Sequence, residues 1–529
     1  MKDKILVIRF SSLGDIILTS SLLVNLKINF PQSEIVFLTK EKFRKASELL
    51  PYVDKLVTIP DKVSIASYYR ILIKLDHENI DKIIDLHGNF RSFLARKIIS
   101  APIKVAYQKE RLKRKRMVRK NKIFETIDHT VDRYNAALKE IGGTAYSHRP
   151  IILRNSLESS NSRSEIETDS VKVVIAPGAS HQNKKWELSK FIETSNFIKE
   201  SNRAKITWAV STNDFPDKNE TKQLDSLGDI VLRDAPLDEL SSLIYSSSVL
   251  LSNDSGIAHL ASGVGTPVVA LFGPTHPALG FSLKGLFDKI IEVDEPCRPC
   301  SLHGKKKCFR TERFCFNRIS PQKVADAVSE LIDKNVSNNR AVFLDRDGTV
   351  MVDKHYLSNP DDIEFEQGAM EGLKLLQSLN LKLIILSNQS GVARGYFDIE
   401  TVQSVNKRMV DMLDSKGIKI DGVYFCPHYS NGKIKEFSFQ CSCRKPFSEM
   451  ADRAALKFNI NLHKSFMIGD KTDDLNLARA IGAKGYLVKT GQGQKELAAI
   501  STYPFISDFV SDNILDTAHK IKKQLSRVG

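Results

Sequence analysis

Residues 341–350 read AVFLDRDGTV: four apolar residues, then Asp345 and Asp347 in a short acidic turn that reaches Gly348. An apolar run of that length, closed by a turn, reads as a buried strand. Two carboxylates two residues apart at its end share one loop and one cation. One is then placed to attack phosphorus while the other handles the proton. The same grammar recurs downstream. Ser387 and Asn388 follow LKLIIL (381–386) and suit phosphoryl oxygens, and Lys445 in SCRKP (442–446) suits developing negative charge. Asp470 and Asp474, in IGDKTDDL (468–475), add oxygen ligands for a hard cation such as Mg²⁺.

Upstream, short β-rich runs also alternate with helical stretches. KILVIRF (4–10), EIVFLT (34–39), KLVTI (55–59) and KIIDLHG (82–88) come first. VKVVIAPGAS (171–180), KITWAVST (205–212), VLLSNDSG (249–256) and PVVALFGP (267–274) follow. Such alternation predicts α/β folds with parallel sheets, and ligands bind at the carboxyl ends of their strands. The Ser-rich stretch 155–169 and the short KNVSNNR (334–340) read as linkers. They divide the chain into units 1–155, 170–335 and 341–500, with a helical tail over 501–529.

The 529 residues carry a formal net charge of +15, which favours anionic partners: phosphorylated sugars, an anionic membrane face or nucleic acid. No nucleic-acid-binding motif supports the last. No apolar run reaches the ~18–20 residues that span a bilayer. The start, MKDKILVIRFSSLGD, reads as a strand entering a loop rather than a signal peptide, so a cytoplasmic protein is expected. Seven cysteines lie in two clusters, a pattern that points to metal before disulfide. In CPHYSNGKIKEFSFQCSC (426–443), Cys426 and His428 are joined to Cys441 and Cys443 by a loop of twelve residues. Three thiolates and an imidazole suit a closed, structural tetrahedral zinc. The second cluster, Cys297, Cys300, Cys308 and Cys315, is spaced more loosely and is a candidate second metal set.

The order DxDGT, Ser, Lys, GDxxxD resembles the haloacid-dehalogenase-like phosphatases. That resemblance implies a Rossmannoid phosphatase in which Asp345 is phosphorylated and Asp347 protonates the leaving oxygen. It further implies Mg²⁺ held by Asp345, Asp347 and Asp470, with Asp474 in support. Within that family FLDRDGT, SNQSGVARG, FCPH, CSCRKP and IGDKTDD resemble the D-glycero-D-manno-heptose 1,7-bisphosphate 7-phosphatases. Histidinol phosphatases share much of the pattern. The substrate contacts so implied are Gln389, Arg444 and Lys445, and His355 stands where a glycine is usual.

In the N-terminal two thirds, RFSSLGDIILTSSLL (9–23) places Asp15 at a strand-to-helix junction, where a capping residue or a general base fits. PGASHQNKKWE (177–187) and NDSGIAHLASGVGTPVVALFGPTHP (253–277) supply backbone N–H groups, a hydroxyl and a lysine for a diphosphate. With DLHGNFRS (85–92), these segments resemble glycosyltransferase family 9, the ADP-heptose:lipopolysaccharide heptosyltransferases. The resemblance implies a GT-B architecture of two Rossmann-like domains, with Asp15 as base. Nucleotide-sugar contacts would come from Ser180, Lys184, Asp254, Ser255, Gly256 and His259. The KKW pairing favours Lys184 over Lys185, and Ala179 stands where a first hydroxyl is usual. Residues 109–122, KERLKRKRMVRKNK, contain nine Lys or Arg and read either as a solvated helix face or as a docking patch. Its partner would be anionic lipid or lipopolysaccharide inner core. Together the two resemblances imply a bifunctional enzyme of surface-heptose metabolism, acting on heptose 1,7-bisphosphate and on ADP-heptose with an inner-core acceptor. Its place would be the cytoplasmic face of the inner membrane. The competing reading is a histidinol-phosphate or related sugar-phosphate phosphatase carrying a non-catalytic docking module.

Overall fold

The computed structural model describes residues 3–153, 171–214, 218–500 and 509–526. The expected linker 155–169 lies outside the described residues. Two compact units emerge, Met1–Ser337 and Asn338–Gly529.

The first unit holds two parallel sheets. β1 Lys4–Ile8, β2 Glu34–Lys40, β3 Lys55–Ile59, β4 Lys82–Asp85 and β5 Ile103–Ala106 lie in the order β3-β2-β1-β4-β5. β6 Lys172–Ala176, β7 Lys205–Val210, β8 Ile230–Arg233, β9 Val249–Asn253, β10 Val268–Leu271 and β11 Lys289–Ile291 lie in the order β11-β10-β9-β6-β7-β8. Alternate residues of each central strand serve opposite faces, as the two-residue period requires. Leu6, Ile8, Val36 and Leu38 enter one core, while Ile5, Val7, Ile35 and Phe37 enter another. That second core also takes Val174, Leu250, Ala258 and Ala261, so both sheets share it. The two spans expected as separate units therefore pack as one body. Their most extensive helix-to-helix contact is between Leu13–Leu18 and Gly256–Gly263. A Cβ on Gly14 would stand 2.6 Å from His259 Cδ2, and one on Gly256 would stand 2.9 Å from Leu13 Cβ. Only glycine admits that contact.

The second unit has one parallel sheet: β12 Ala341–Leu344, β13 Lys382–Asn388, β14 Gly422–Cys426, β15 Phe466–Gly469, β16 Lys484–Val488 and β17 Val510–Ser511. Its order is β14-β13-β12-β15-β16-β17. Of the helical tail expected over 501–529, residues 509–526 are described. β17 pairs with β16, and the helix Ile514–Ser526 packs on the helix Ala369–Ser378. Ile514, Ala518 and Ile521 recur at helical spacing and bury in the core, so the segment completes the sheet and its cover.

Counted within each sheet, all three share one strand order, 3-2-1-4-5, with a sixth strand added in the last two. The direction of winding reverses beside the first strand, and a crevice opens there between β1 and β4, β6 and β9, and β12 and β15.

Candidate active sites

In the second unit, Asp345 leaves β12 and Asp470 leaves β15, on opposite banks of that crevice. Lys445 Nζ lies 2.7 Å from Asp345 Oδ1 and 2.6 Å from Asp474 Oδ1, with all three side chains buried. Arg346 N–H also donates to Asp345 Oδ1, at 2.8 Å, and no donor among the described residues reaches Oδ2. Ser387, Asn388 and Gln389 end β13 and its turn. Gln389 Nε2 donates to Ser387 Oγ at 2.6 Å and to Asp347 Oδ2 at 2.8 Å. Asn388 and Lys445 exchange hydrogen bonds through the Asn388 amide and the Lys445 backbone, which fixes the lysine's entry. A cavity of about 250 Å³ is lined by Asp345, Asp347, Ser387, Gln389, Arg444 and Lys445, among others.

Charge in this cavity is unbalanced. Asp345, Asp470 and Asp474 bring carboxylate oxygens within 4.8 Å of one another. Burial pushes Asp345 upward, but Lys445 and Lys471 outweigh it and hold the carboxyl below the ordinary range. Burial, with the Asp345 charge, pushes Asp470 up to about 8. Burial also raises Asp474, to about 7, against the opposing pull of Lys445. Gln492 N–H donates to Asp470 Oδ2 at 2.8 Å, whereas Asp470 Oδ1 is buried with no partner. An orphaned buried carboxylate oxygen facing two other carboxylates is the environment of a divalent cation. Asp347, expected among the ligands, is not in this group. Arg346 grips its carboxylate at 3.0–3.1 Å, and Gln389 takes the other side. Asp474 takes its place in the cluster because the helix Thr472–Ile481 points its first turn into the crevice.

The sequence reading passed over three supports. Arg346 is almost wholly buried and also donates to Asn406 Oδ1 at 2.7 Å, which orients the Asp347 side chain. Thr490 Oγ1 donates to Gly348 O at 2.7 Å. Gly348, at φ +83°, has no room for a Cβ, which would stand 2.3 Å from Asp470 Oδ2. The Thr-Gly-Gln-Gly run after β16 was the available signal, since a glycine-rich turn after a strand permits close backbone approach.

Beside the cavity, Cys426, His428, Cys441 and Cys443 converge. Their sulfurs are 3.2–3.4 Å apart, and His428 Nδ1 lies 3.3 Å from Cys443 Sγ and 3.6 Å from Cys426 Sγ. Hydrogen bonding from Cys426 pushes the Cys443 thiol down to about 5, against burial. This donor set fits a tetrahedral soft-ligand metal. Cys297, Cys300, Cys308 and Cys315 differ: among the described residues no three of their sulfurs come within the same 4.8 Å.

In the first unit, Asp15 sits in the first turn of its helix. Its Oδ2 accepts from Ser12 N at 3.0 Å and Ser12 Oγ at 2.9 Å and pairs with Arg9 Nη2 at 2.7 Å. Burial raises the carboxyl, but Arg9 prevails and holds it below the usual range. No donor among the described residues reaches Oδ1. Across the crevice of the second sheet, Lys184 Nζ lies 2.6 Å from Asp254 Oδ2, which also accepts from Thr275 Oγ1 at 2.8 Å. Lys185 instead turns to Asp214, at 2.9 Å, so the two lysines part company. Ser255 Oγ and His259 Nδ1 are buried without partners at the start of the helix Gly256–Gly263, and Ser180 is exposed at the rim. Burial lowers His259 below the ordinary imidazole range. The loop of the second cysteine cluster closes over this bank. A Cβ on Gly304 would meet Lys184 Cγ at 2.2 Å, and Asn183 Nδ2 donates to Lys306 O at 2.8 Å. The basic stretch forms a helix, Arg111–Lys120, with one buried face: Arg114 Nε donates to Leu279 O at 2.8 Å.

Comparison with known proteins agrees with this division. The family model for glycosyltransferase family 9 (heptosyltransferase) matches residues 68–307, and a HAD-hydrolase-like model matches 442–517. A solved glycosyltransferase family 9 structure from Veillonella parvula DSM 2008 aligns with 63% of this chain and 98% of its own, at TM-score 0.52 and 21% identity. It shares the fold of the first unit. A D-glycero-beta-D-manno-heptose-1,7-bisphosphate 7-phosphatase from Yersinia pestis is 39% identical over 187 residues, 34% of this chain and 95% of the relative. Its counterpart from Haemophilus ducreyi is 43% identical over 155 residues, 29% and 85% respectively. The chain thus belongs, through its second unit, to the heptose 1,7-bisphosphate 7-phosphatase family, fused behind a glycosyltransferase family 9 domain.

Proposed function

We propose that this chain is a bifunctional enzyme of heptose and lipopolysaccharide-core biosynthesis. Its second unit removes the 7-phosphate of D-glycero-D-manno-heptose 1,7-bisphosphate. Its first unit transfers heptose from ADP-heptose to an inner-core acceptor. The observation that carries the phosphatase half is the buried Asp345–Lys445–Asp474 chain beside Asp470, in a region 39% identical to a named phosphatase of that specificity.

In the first step Asp345 Oδ2, the oxygen with no donor, attacks phosphorus, and the P–O bond to the sugar breaks. Asp347, released from its Arg346 fork and having taken up a proton from solvent, passes that proton to the departing oxygen. Lys445, Ser387 and Asn388 stabilise the transferred group, while Gln389 and Arg444 hold the substrate. Water then cleaves the aspartyl phosphate, with Asp347 accepting its proton. Asp345 and Asp470, with Asp474 behind them, would hold Mg²⁺, which supplies charge neutralisation at the phosphoryl oxygens. Cys426, His428, Cys441 and Cys443 would hold a structural Zn²⁺ that stiffens the loop leading to Arg444.

In the transferase half, Asp15 Oδ1 accepts the proton of the acceptor hydroxyl as it attacks the heptose anomeric carbon. Lys184, drawn from Asp254, neutralises the leaving diphosphate, with Ser180, Ser255, Gly256 and His259 around the nucleotide. The setting is the cytoplasmic face of the inner membrane, and no nucleic acid is involved.

Two assays test the reading. Phosphate release from heptose 1,7-bisphosphate is expected to exceed release from histidinol phosphate, and the reverse preference would overturn the substrate assignment. Incubation with ADP-heptose and a Kdo-containing lipid A acceptor is expected to add one heptose by mass spectrometry. Absence of that gain, with phosphatase activity intact, would overturn the transferase assignment.

A further inference from the structure

The helices that follow β3, β4 and β5 share an unusual feature. Each opens, at the carboxyl edge of the first sheet, with a large apolar residue facing solvent. Ile65, first in Ile65–Asp76, is 79% exposed; Phe90, first in Phe90–Ile98, is 70% exposed; Leu112, second in Arg111–Lys120, is 82% exposed. These are the three most exposed large apolar side chains among the described residues. Their helices do not need them for the core. The first buries Tyr68, Leu72 and Leu75, and the third buries Arg114, Met117 and Val118.

The three helix starts lie together. Tyr68 Oη donates to Arg91 O at 2.8 Å, joining the first turns of the first two helices. A Cβ on Gly88, just before the second helix, would stand 3.2 Å from Lys109 Cε, just before the third. Tyr69 and Phe93 are exposed on the same turns. Around them positive charge predominates. Residues 109–122 hold nine Lys or Arg against a single acid, Glu110. Lys113 pairs with Glu110 and Glu125, but Arg111, Lys115, Arg119, Lys120 and Lys122 meet no carboxylate among the described residues.

We propose that this edge is a bilayer-docking surface, on which Ile65, Phe90 and Leu112 enter the headgroup–acyl boundary of an anionic membrane while the Arg111–Lys120 helix binds lipid phosphates. Apolar side chains set in a field of unpaired cations match the interfacial mode of membrane binding. An apolar protein partner would not call for the surplus charge, and a polyanion would not call for the apolar tips. The same edge carries Asp15, so docking presents the proposed base to a lipid-linked acceptor. The inference deepens the transferase reading, but vesicle binding is measured without any sugar donor. Failure of docking and failure of transfer are therefore separate results.

The test is cosedimentation of the full chain with phosphatidylglycerol–phosphatidylethanolamine vesicles and with phosphatidylcholine vesicles. Binding is expected to the first only, and to weaken as salt rises. The triple variant Ile65→Ser, Phe90→Ser, Leu112→Ser should bind at least tenfold more weakly with an unchanged melting temperature. Lys115→Glu, Arg119→Glu, Lys120→Glu should lose binding as strongly. Ile230→Ser, which removes an exposed residue from β8, should bind like the parent. If the triple variant melts early, single Leu112→Ser and Phe90→Ser replace it, each with a smaller loss expected. Equal binding by the serine variants, binding to neutral vesicles alone, or capture on heparin or RNA without vesicle binding would overturn the proposal.

Discussion

The two sites occupy the same place in the same topology, yet they handle charge in opposite ways. In the transferase cleft each anion has its own cation: Asp15 rests on Arg9, and Asp254 on Lys184. In the phosphatase crevice, Lys445 is shared by Asp345 and Asp474, and Asp470 Oδ1 has nothing. Assembly differs as well. Asp345, Ser387, Lys445 and Asp470 all hang from one sheet, whereas Asp15 and Lys184 come from two sheets joined by a shared core. A site built on one sheet tolerates a dense, unbalanced carboxylate cluster that awaits a cation. In a site split between two sheets each half keeps its own ion pair, and a ligand must displace them.

The sharpest way to break this contrast is to remove one reacting carboxylate at a time. Asp345→Asn should lower phosphate release on the order of 10³-fold or more and leave heptose transfer unchanged. Phosphate release near the parental rate would remove Asp345 from the chemistry. Asp15→Asn should do the reverse, lowering transfer by about 10²–10⁴-fold with ADP-heptose binding retained. Loss of binding instead would make Asp15 a helix cap only. Lys445→Met separates the two charge schemes more directly. It leaves Asp345 and Asp474 buried without their shared cation, and should cost the second unit about 3–5 kcal/mol as well as its activity. Lys184→Met, whose partner Asp254 keeps Thr275, should weaken ADP-heptose binding with a smaller loss on denaturation.

Zinc content offers a smaller effect. Cys441→Ser should abolish bound zinc by elemental analysis and lower the melting temperature of the second unit. Cys300→Ser should leave zinc content unchanged, because its cluster does not converge.

A further predicted effect is on pH. Asp470 is raised from 3.8 to about 8, chiefly by burial. A carboxyl whose folded pKa lies above its unfolded value keeps its proton in the folded state. Metal-free stability should therefore fall as pH rises through that window, because the folded state binds more protons there. Mg²⁺ should restore stability most at the alkaline end. Melting curves between pH 5 and 9 (roughly the accessible span), with and without Mg²⁺, check the sign. A metal-free curve that rises with pH would contradict the orphaned carboxylate.

Much of this is legible in the amino-acid sequence. Central strands of parallel sheets are buried on both faces, so they stand out as apolar runs, and the motif residues follow them directly. β1, β2, β6, β9, β12 and β13 were readable in this way. β8 and β11 were not, since their residues are half-exposed and mixed. β17, with two residues, carries no period at all.

The sequence by itself determined the chemistry available: which acids, which lysines, and which soft ligands lie at strand ends. Covalent order and local period suffice for that. Only the tertiary structure decided the pairings. It sent Lys184 to Asp254 and Lys185 to Asp214, set Asp474 rather than Asp347 among the clustered carboxylates, and gathered one cysteine set while leaving the other apart. It also brought three exposed apolar residues from separate helices to one edge. Each of these depends on contacts between residues far apart in sequence. Neither the two-residue nor the 3.6-residue period reports on such distances.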